Sequence, residues 1–226
     1  MLVLAIDTAL EACAAAVLDT ETQEFLARES LLMKRGHAEA LMPLIAEVMK
    51  KAGIGYAALD RIAATVGPGS FTGLRVGISA ARGLGLAAGR PVVGVTTLAA
   101  FAASVIDSQS ESPVLVAIDA RHDHVYAQAF SAEGETLIKP AIMPVADAVR
   151  AARFGPPHIV GNAASLLAER WPEQFEPPIA VHQQAAPDIA WVAWLGANAD
   201  PAEAPPRPYY LRAPDAKTKA ELAQRQ

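Results

Sequence analysis

The chain has 226 residues, 19 Lys and Arg against 24 Asp and Glu, a net charge of −5, 52% hydrophobic residues and 19% charged ones. This excludes a disordered chain and supplies a sizeable apolar core for one large domain or two small ones. It also argues against independent nucleic-acid binding, because phosphate contacts need a basic surplus and the cations are scattered apart from Lys50-Lys51 and Lys217 and Lys219.

Met1-Leu2-Val3-Leu4-Ala5-Ile6-Asp7 opens as an apolar strand without a basic flank, and Asp7 breaks it too early for a signal peptide. A turn and a second strand follow, ending near Val17. Cys13, the single cysteine, has no internal disulfide partner, which points to a reducing compartment. Gln23–Leu32 reads as a third strand. His37–Lys51 carries Leu41, Leu44, Ile45 and Val48 at helical spacing, with Lys50-Lys51 where the dipole favours cations. Pro43 inside it is expected to kink the helix or confine its regular part to later residues.

Arg61–Val66 is a strand, Ser70–Ala88 a helix, Pro91–Val95 a strand and Leu98–Ile106 a helix. The longest uncharged stretch, Pro91–Ile106, is too short to span a bilayer. A cytoplasmic, membrane-free protein is the expectation. Strands alternating with helices after an opening meander predict an α/β fold with a partly antiparallel sheet. The second half reads as strands near 114–119, 124–130 and 135–145 and helices near 146–153, 163–170 and 187–198.

Punctuation divides the chain. Residues 1–112 hold 11 of the 15 glycines and 3 of the 17 prolines, while the remainder holds all three tryptophans. The polar run around Ser108 marks the boundary between a lobe at 1–108 and a smaller one at 109–212 whose last helix packs back on the first, with a frayed tail at 213–226. Ala5-Ile6-Asp7 recurs as Ala117-Ile118-Asp119, again at the end of a strand and before a turn and a second strand, a faint internal repeat.

The most informative segment is Val66-Gly67-Pro68-Gly69-Ser70-Phe71-Thr72-Gly73-Leu74-Arg75. A strand runs into a glycine-rich turn that opens a helix, with Ser70 or Thr72 available as N-cap. Backbone N–H groups at such a terminus suit an anion, but no lysine follows the glycines as in a Walker loop. Asp7, Gly67, Gly69 and Ser70 are the candidate nucleotide contacts. Against them, the side chains of Ala9, two residues after Asp7, and Arg121, two after Asp119, would crowd a phosphate at those turns. In the helix, Gly73, Gly77, Ala81 and Gly85 recur every four residues. Glycine in a helix interior costs about 1 kcal/mol relative to alanine, so another helix must approach this ridge closely, either from the same chain or from a partner. Arg75 and Arg82 share a different face.

Other groups read as structural. His122-Asp123-His124 lacks a third metal ligand and is expected in a solvated hairpin turn. Trp191 and Trp194, with Ile189 and Leu195, are expected core anchors. Cys13 behaves as a small buried hydrophobe. No Ser-His-Asp arrangement is identified, and no catalytic or metal-ligating residue is assigned.

The opening Leu4–Ala9, the segment Arg35–Ile45, the block Gly67–Ala88 and the closing Pro208-Tyr209-Tyr210-Leu211-Arg212 together resemble the TsaB (YeaZ) family, bacterial partner proteins in the synthesis of threonylcarbamoyladenosine on tRNA. The resemblance implies two ribonuclease-H-like lobes of the actin-like ATPase superfamily. The catalytic relatives of the TsaD family carry a His-x-x-x-His metal pair whose matching positions here are Thr97 and Phe101, which cannot ligate a metal. The resemblance thus implies a non-catalytic subunit that binds a TsaD-like enzyme, is joined by a TsaE-like ATPase, reaches tRNA only through the complex and self-dimerises when alone. No cofactor is required by the isolated chain, and ATP or ADP belongs, if anywhere, at the interface of the complex. The expected partner surface is His37, Leu41, Leu44, Ile45, Val48, Gly73, Arg75, Gly77, Ala81, Arg82 and Gly85. A nucleotide-binding kinase-like or acyl-transfer enzyme and a regulatory homodimeric scaffold are the alternatives.

Overall fold

The computed structural model describes residues 1–106 and 111–211. The expected lobe boundary at 108/109, Arg212 of the closing motif and the tail 213–226 lie outside the described residues. In the first lobe β1 (Leu2–Asp7), β2 (Ala12–Asp19) and β3 (Glu24–Leu32) form an antiparallel meander. Then come α1 (His37–Ala52), β4 (Arg61–Gly67), α2 (Phe71–Ala88), β5 (Val92–Thr96) and α3 (Thr97–Ile106). β4 joins β1 in parallel and β5 joins β4, giving the order β3-β2-β1-β4-β5.

The second lobe repeats this strand for strand. It contains β6 (Val114–Asp119), β7 (His124–Phe130), β8 (Thr136–Pro144), the short α4 (Val145–Ala148) with a 3-10 turn, β9 (His158–Gly161), α5 (Ala164–Glu169), β10 (Ala180–Gln183) and α6 (Ile189–Asn198). Its order is β10-β9-β6-β7-β8, the same topology read from the other edge. The fold is the expected duplicated α/β arrangement of two ribonuclease-H-like lobes, each a mixed five-stranded sheet.

The apolar runs of β1 and β2 follow from burial on both faces. Leu4, Ile6, Cys13, Ala15 and Val17 pack with Leu41, Leu44, Ile45 and Val48 of α1, while Val3, Ala5, Ala14, Ala16 and Leu18 pack with Ile189, Val192 and Ala193 of α6. The lobes exchange helices. α6 covers the first sheet, and α3 sends Leu98, Phe101, Ala102 and Val105 into a cluster with Val114, Val116 and Ile118 of the second.

Two expectations are corrected. α1 runs unbroken from His37 to Ala52 with Pro43 on its exposed side, so its regular part is not confined to later residues. It ends at Gly53, whose left-handed backbone (φ 68°) lets its N–H reach the Lys50 carbonyl. In α6 the tryptophans are only half-buried, because small residues face the sheet. A Cβ on Gly196 would collide with that of Ala63, so close helix-to-sheet approach leaves no room for indoles on the inner face. Arg61 Nη1 donates to the carbonyls of Gly196, Ala197 and Ala199 at 3.0, 2.8 and 2.7 Å, closing the C-terminus of α6.

Candidate functional site: a cleft between two related turns

The β1–β2 and β6–β7 turns reach the same interlobe cleft, of ≈970 Å³. The first contributes Leu10 and Glu11, the second Asp119, Ala120 and Arg121. Residues 34–39, the start of α2, Tyr126, Asn162 and Tyr210 complete the lining.

The two turns share one hydrogen bond. Ala9 N–H donates to Asp7 Oδ1 at 2.9 Å, and Arg121 N–H donates to Asp119 Oδ1 at 2.8 Å. In each lobe the fourth strand ends on a glycine with positive φ, Gly67 at 116° and Gly161 at 127°. The faint repeat therefore extends to turn geometry. The matching sequence signal is the Gly161-Asn162 pair, which stands where Gly67-Pro68 stands in the first lobe. Asn162 Oδ1 accepts the Asp119 N–H at 2.7 Å.

The surroundings of the two carboxylates differ. Asp7 is fully buried; Oδ1 also accepts the Thr65 hydroxyl at 2.5 Å, while Oδ2 has no partner. Burial pushes its carboxyl above the usual range, and the bonds from Thr65 and Ala9 and the nearby His37 offset that only in part. Burial, and next the Asp7 charge, push the neighbouring Cys13 thiol up to about 11, which suits an inert core residue. Asp119 is exposed.

α2 closes the first turn. The Thr8 hydroxyl donates to the Gly73 carbonyl at 2.7 Å, and Ser70 N–H donates to the Ala9 carbonyl at 2.7 Å. A Cβ on Gly69 would strike Ala9, and one on Gly73 or Gly77 would strike Thr8. These glycines admit the turn itself. Ser70 is the N-cap, its Oγ accepting Gly73 N–H at 3.3 Å. Gly67 lies against the chain's own closing segment, where Tyr209 N–H donates to the Val66 carbonyl at 2.7 Å.

The expected partner surface needs correction for the same reason. Leu41, Leu44, Ile45 and Val48 are buried beneath the first sheet's own layer. Gly73, Gly77, Ala81 and Gly85 are buried too, the ridge pressing on Thr8 at the end of β1 and, at Gly85, on Val92 of β5. The four-residue spacing reported a real close approach, but what approaches the glycines is the C-terminal end of the central strand β1 and, at Gly85, the start of β5, not a helix. His37 is half-buried, its Nε2 donating to the Leu10 carbonyl at 2.9 Å. Arg75 and Arg82 remain exposed. Beside them α2 exposes Phe71 and Leu86, and α1 exposes Met42.

At the mouth of the cleft, the Arg75 guanidinium lies 3.8 Å from the Phe71 ring centre, and Phe71 stacks on Tyr210 at 5.4 Å. Arg75 Nε also donates to the Tyr210 hydroxyl at 3.2 Å. The closing motif is thereby fastened to α2, a contact that spacing alone could not reveal. Thr97 and Phe101 are buried, Phe101 in the interlobe cluster. His124 Nδ1 lies 2.7 Å from the His122 carbonyl, and Asp123 pairs with Arg170. Among the described residues, no helix is long and apolar enough to cross a membrane.

A family model described as TsaD, tRNA N6-adenosine threonylcarbamoyltransferase, matches residues 31–191. The tRNA threonylcarbamoyladenosine biosynthesis protein TsaB of Escherichia coli is 35% identical over 152 residues, 63% of this chain and 64% of that protein, so the match spans less than two thirds of its length. An uncharacterized protein of Mycobacterium tuberculosis is 36% identical over 218 residues, covering 95% of this chain and 93% of its own. A Pseudomonas aeruginosa crystal structure, described as similar to peptidase YEAZ, superposes with a TM-score of 0.77 at 30% identity over 93% of this chain and 99% of that one. With the duplicated sheets and the closing segment folded onto α2, these likenesses establish that the chain belongs to the TsaB/YeaZ family.

Proposed function

We propose that this chain is a non-catalytic subunit in the biosynthesis of tRNA threonylcarbamoyladenosine, docking a TsaD-like catalytic subunit through the outer faces of α1 and α2. The observation that carries the reading is the exposed apolar side of these two helices. Leu86 is 87% exposed on α2 and Met42 46% exposed on α1, and α2 also exposes Phe71, Arg75 and Arg82. Large exposed apolar side chains are candidates for interaction sites, and Arg and aromatic residues are favoured in interface cores. The enclosure of Asp7, with Ala9 pressed on Gly69, supports a subunit that leaves phosphate chemistry to its partner.

In this reading the lobes divide near residue 108, and the chain works in the cytoplasm. A TsaE-like ATPase joins the pair, any ATP or ADP sits at the interface of the complex, and tRNA is met only there. Alone, the chain covers the same face by self-association. Light-scattering chromatography tests this. The free chain is expected to run as a homodimer and to convert to a one-to-one complex with the TsaD-like subunit of the same source. Leu86→Asp is expected to abolish both associations without changing thermal unfolding, and a complex undiminished by it sinks the docking face.

A further inference from the structure

The two sheets have four outer edges, and three of them are guarded. β5 is covered by the chain's own closing segment, with Gly94 N–H donating to the Ala204 carbonyl at 2.9 Å. β8 carries Lys139, Pro140 and Pro144, and β10 has only four residues, features that discourage pairing with another chain. β3 has nine residues and neither proline nor lysine. Met33 N–H donates to the Glu11 carbonyl at 3.0 Å, in the register that pairs Leu31 with Cys13 and Glu29 with Ala15. Hydrogen-bonded and non-hydrogen-bonded pairs alternate in an antiparallel ladder, so the N–H and C=O groups of Arg28, Ser30 and Leu32 point outward. Nothing among the described residues takes them up. The same three residues line a groove of ≈580 Å³ on the α6 side of the sheet, away from α1. Buried Ala12 and Ile189 and the segment 184–188 complete it. Its carboxylates are engaged: Asp188 Oδ1 accepts the Ala190 N–H at 2.9 Å, and Glu29 pairs with Lys51 at 2.6 Å. Arg28 lies 5.7 Å from the Phe25 ring centre and has no ion-pair partner among the described residues.

We propose that β3 takes up an extended segment of a partner protein as a further strand of the first sheet, with an acidic side chain set opposite Arg28 and a large apolar one opposite Leu32. In strand addition the main-chain hydrogen bonds supply affinity and the alternate side chains supply specificity. Directly opposed side chains on one face interact, and opposite charges and apolar pairs are the favourable ones. Leu32 is 79% exposed and offers the apolar contact. Arg28 and Leu32 stand four apart on one face, so the acidic and apolar residues of the segment are also four apart, in either strand direction. Ser30 and Ala12, both small, keep the groove open between these two anchors. A second copy of the chain suits the edge less well. Two-fold pairing within the regular stretch 27–32 sets Arg28 against Arg28, Ser30 or Leu32 and gives it no carboxylate. The edge and its groove lie on the sheet face away from α1, so an added strand leaves the outer faces of α1 and α2 clear.

Selection from a displayed library of random peptides of about ten residues, carried out on the full chain, tests this. The enriched peptides are expected to carry Asp or Glu and a large apolar residue four positions apart, and selection on Arg28→Glu is expected to replace the acid by Lys or Arg. An enriched peptide, followed by fluorescence anisotropy, is expected to bind Ser30→Pro about tenfold or more weakly, the loss of one backbone hydrogen bond. The Ser30 N–H faces outward, so proline there keeps the ladder to β2, and the unfolding midpoint is expected to stay within about 2 °C of the wild type. That separates lost docking from lost folding. Five results overturn the proposal. The first three are no enrichment, enriched peptides without the four-residue pair, and affinity unchanged in both variants. Binding seen only once residues 213–226 are removed would make the chain's own tail the occupant. A lower association number for free Ser30→Pro, by light scattering, would make it a second copy. Association through α1 and α2, read with Leu86→Asp, stands or falls independently of all five.

Discussion

The two lobes share a strand order, an aspartate that accepts the N–H two residues on, and a positive-φ glycine closing the fourth strand. They differ in what lies over the turn. In the first lobe an 18-residue α2 presses a glycine face onto Thr8 and Ala9, and Asp7 is sealed beneath. In the second lobe the corresponding α5 has six residues, Asp119 is exposed, and Arg121 extends into the cleft. The same backbone device serves as a packed core element in one lobe and an open surface in the other. The length and small-residue content of the crossing helix decide which.

The comparison breaks first at Gly77. A side chain there meets the Thr8 hydroxyl oxygen and then Ile6, so Gly77→Leu is expected to cost roughly 3 kcal/mol and to show as lost soluble yield or a much lower denaturation midpoint. A variant that unfolds like the wild type would place the ridge at the surface and restore it to a partner. Next is the inner face of α1. Leu41→Ala is expected to cost about 2–5 kcal/mol by leaving a cavity under the first sheet, and the adjacent Met42→Ala less than about 0.5 kcal/mol. Urea denaturation of the pair separates the two faces, and equal losses would contradict the division between core and docking side.

Much of this was legible in advance. The alternation of strands and helices and the composition break gave an α/β fold in two parts, because periodicity and punctuation record which elements form, while the duplication into two like lobes came from the family resemblance, with which the faint Ala-Ile-Asp repeat agrees. The candidate surface was less legible. The spacing of Gly73, Gly77, Ala81 and Gly85 says that something approaches closely, but the same spacing serves a helix against a helix and a helix against a strand end. Leu41 and its neighbours likewise mark an apolar face without naming what covers it. Only tertiary contact decides, and here the sheet took both. Trp191 and Trp194 misled through size: the inner face of α6 needed Ala193 and Gly196 to reach Ala63.

The two aspartates sharpen the comparison with a pH test. The Asp7 carboxyl is raised above 3.8 in the folded chain, so the native state keeps that proton to higher pH than the unfolded state does. Stability is therefore undiminished by Asp7 below about 3.8, falls as pH rises toward the folded value, and stays lowered above it. Asp7→Asn retains the acceptor for Ala9 and Thr65 and removes the unpartnered charge. It is expected to be more stable than the wild type at neutral pH, with a margin that vanishes in acid. Asp119→Asn, at an exposed carboxylate, is expected to change stability by less than about 0.5 kcal/mol at either pH. Thermal melts at pH 4 and 7.5 read both, and an Asp7→Asn variant less stable at pH 7.5 would mean that the carboxylate is satisfied as an ion.

The smallest effect belongs to the clasp that joins the closing segment to α2. Tyr210 is 39% exposed, stacks on Phe71 and accepts from Arg75, so Tyr210→Ala loses one ring contact and one exposed hydrogen bond. The expected cost is about 1 kcal/mol. Tyr210→Phe keeps the ring and is expected to cost about 0.5 kcal/mol, the hydrogen bond alone. Because Tyr209 stays paired to Val66 through its backbone, neither change should release the segment from β4. Hydrogen exchange at Tyr209 N–H distinguishes the outcomes. Protection kept in Tyr210→Ala leaves the backbone pairing as the anchor, whereas protection lost makes the aromatic clasp the element that holds the segment on the first lobe.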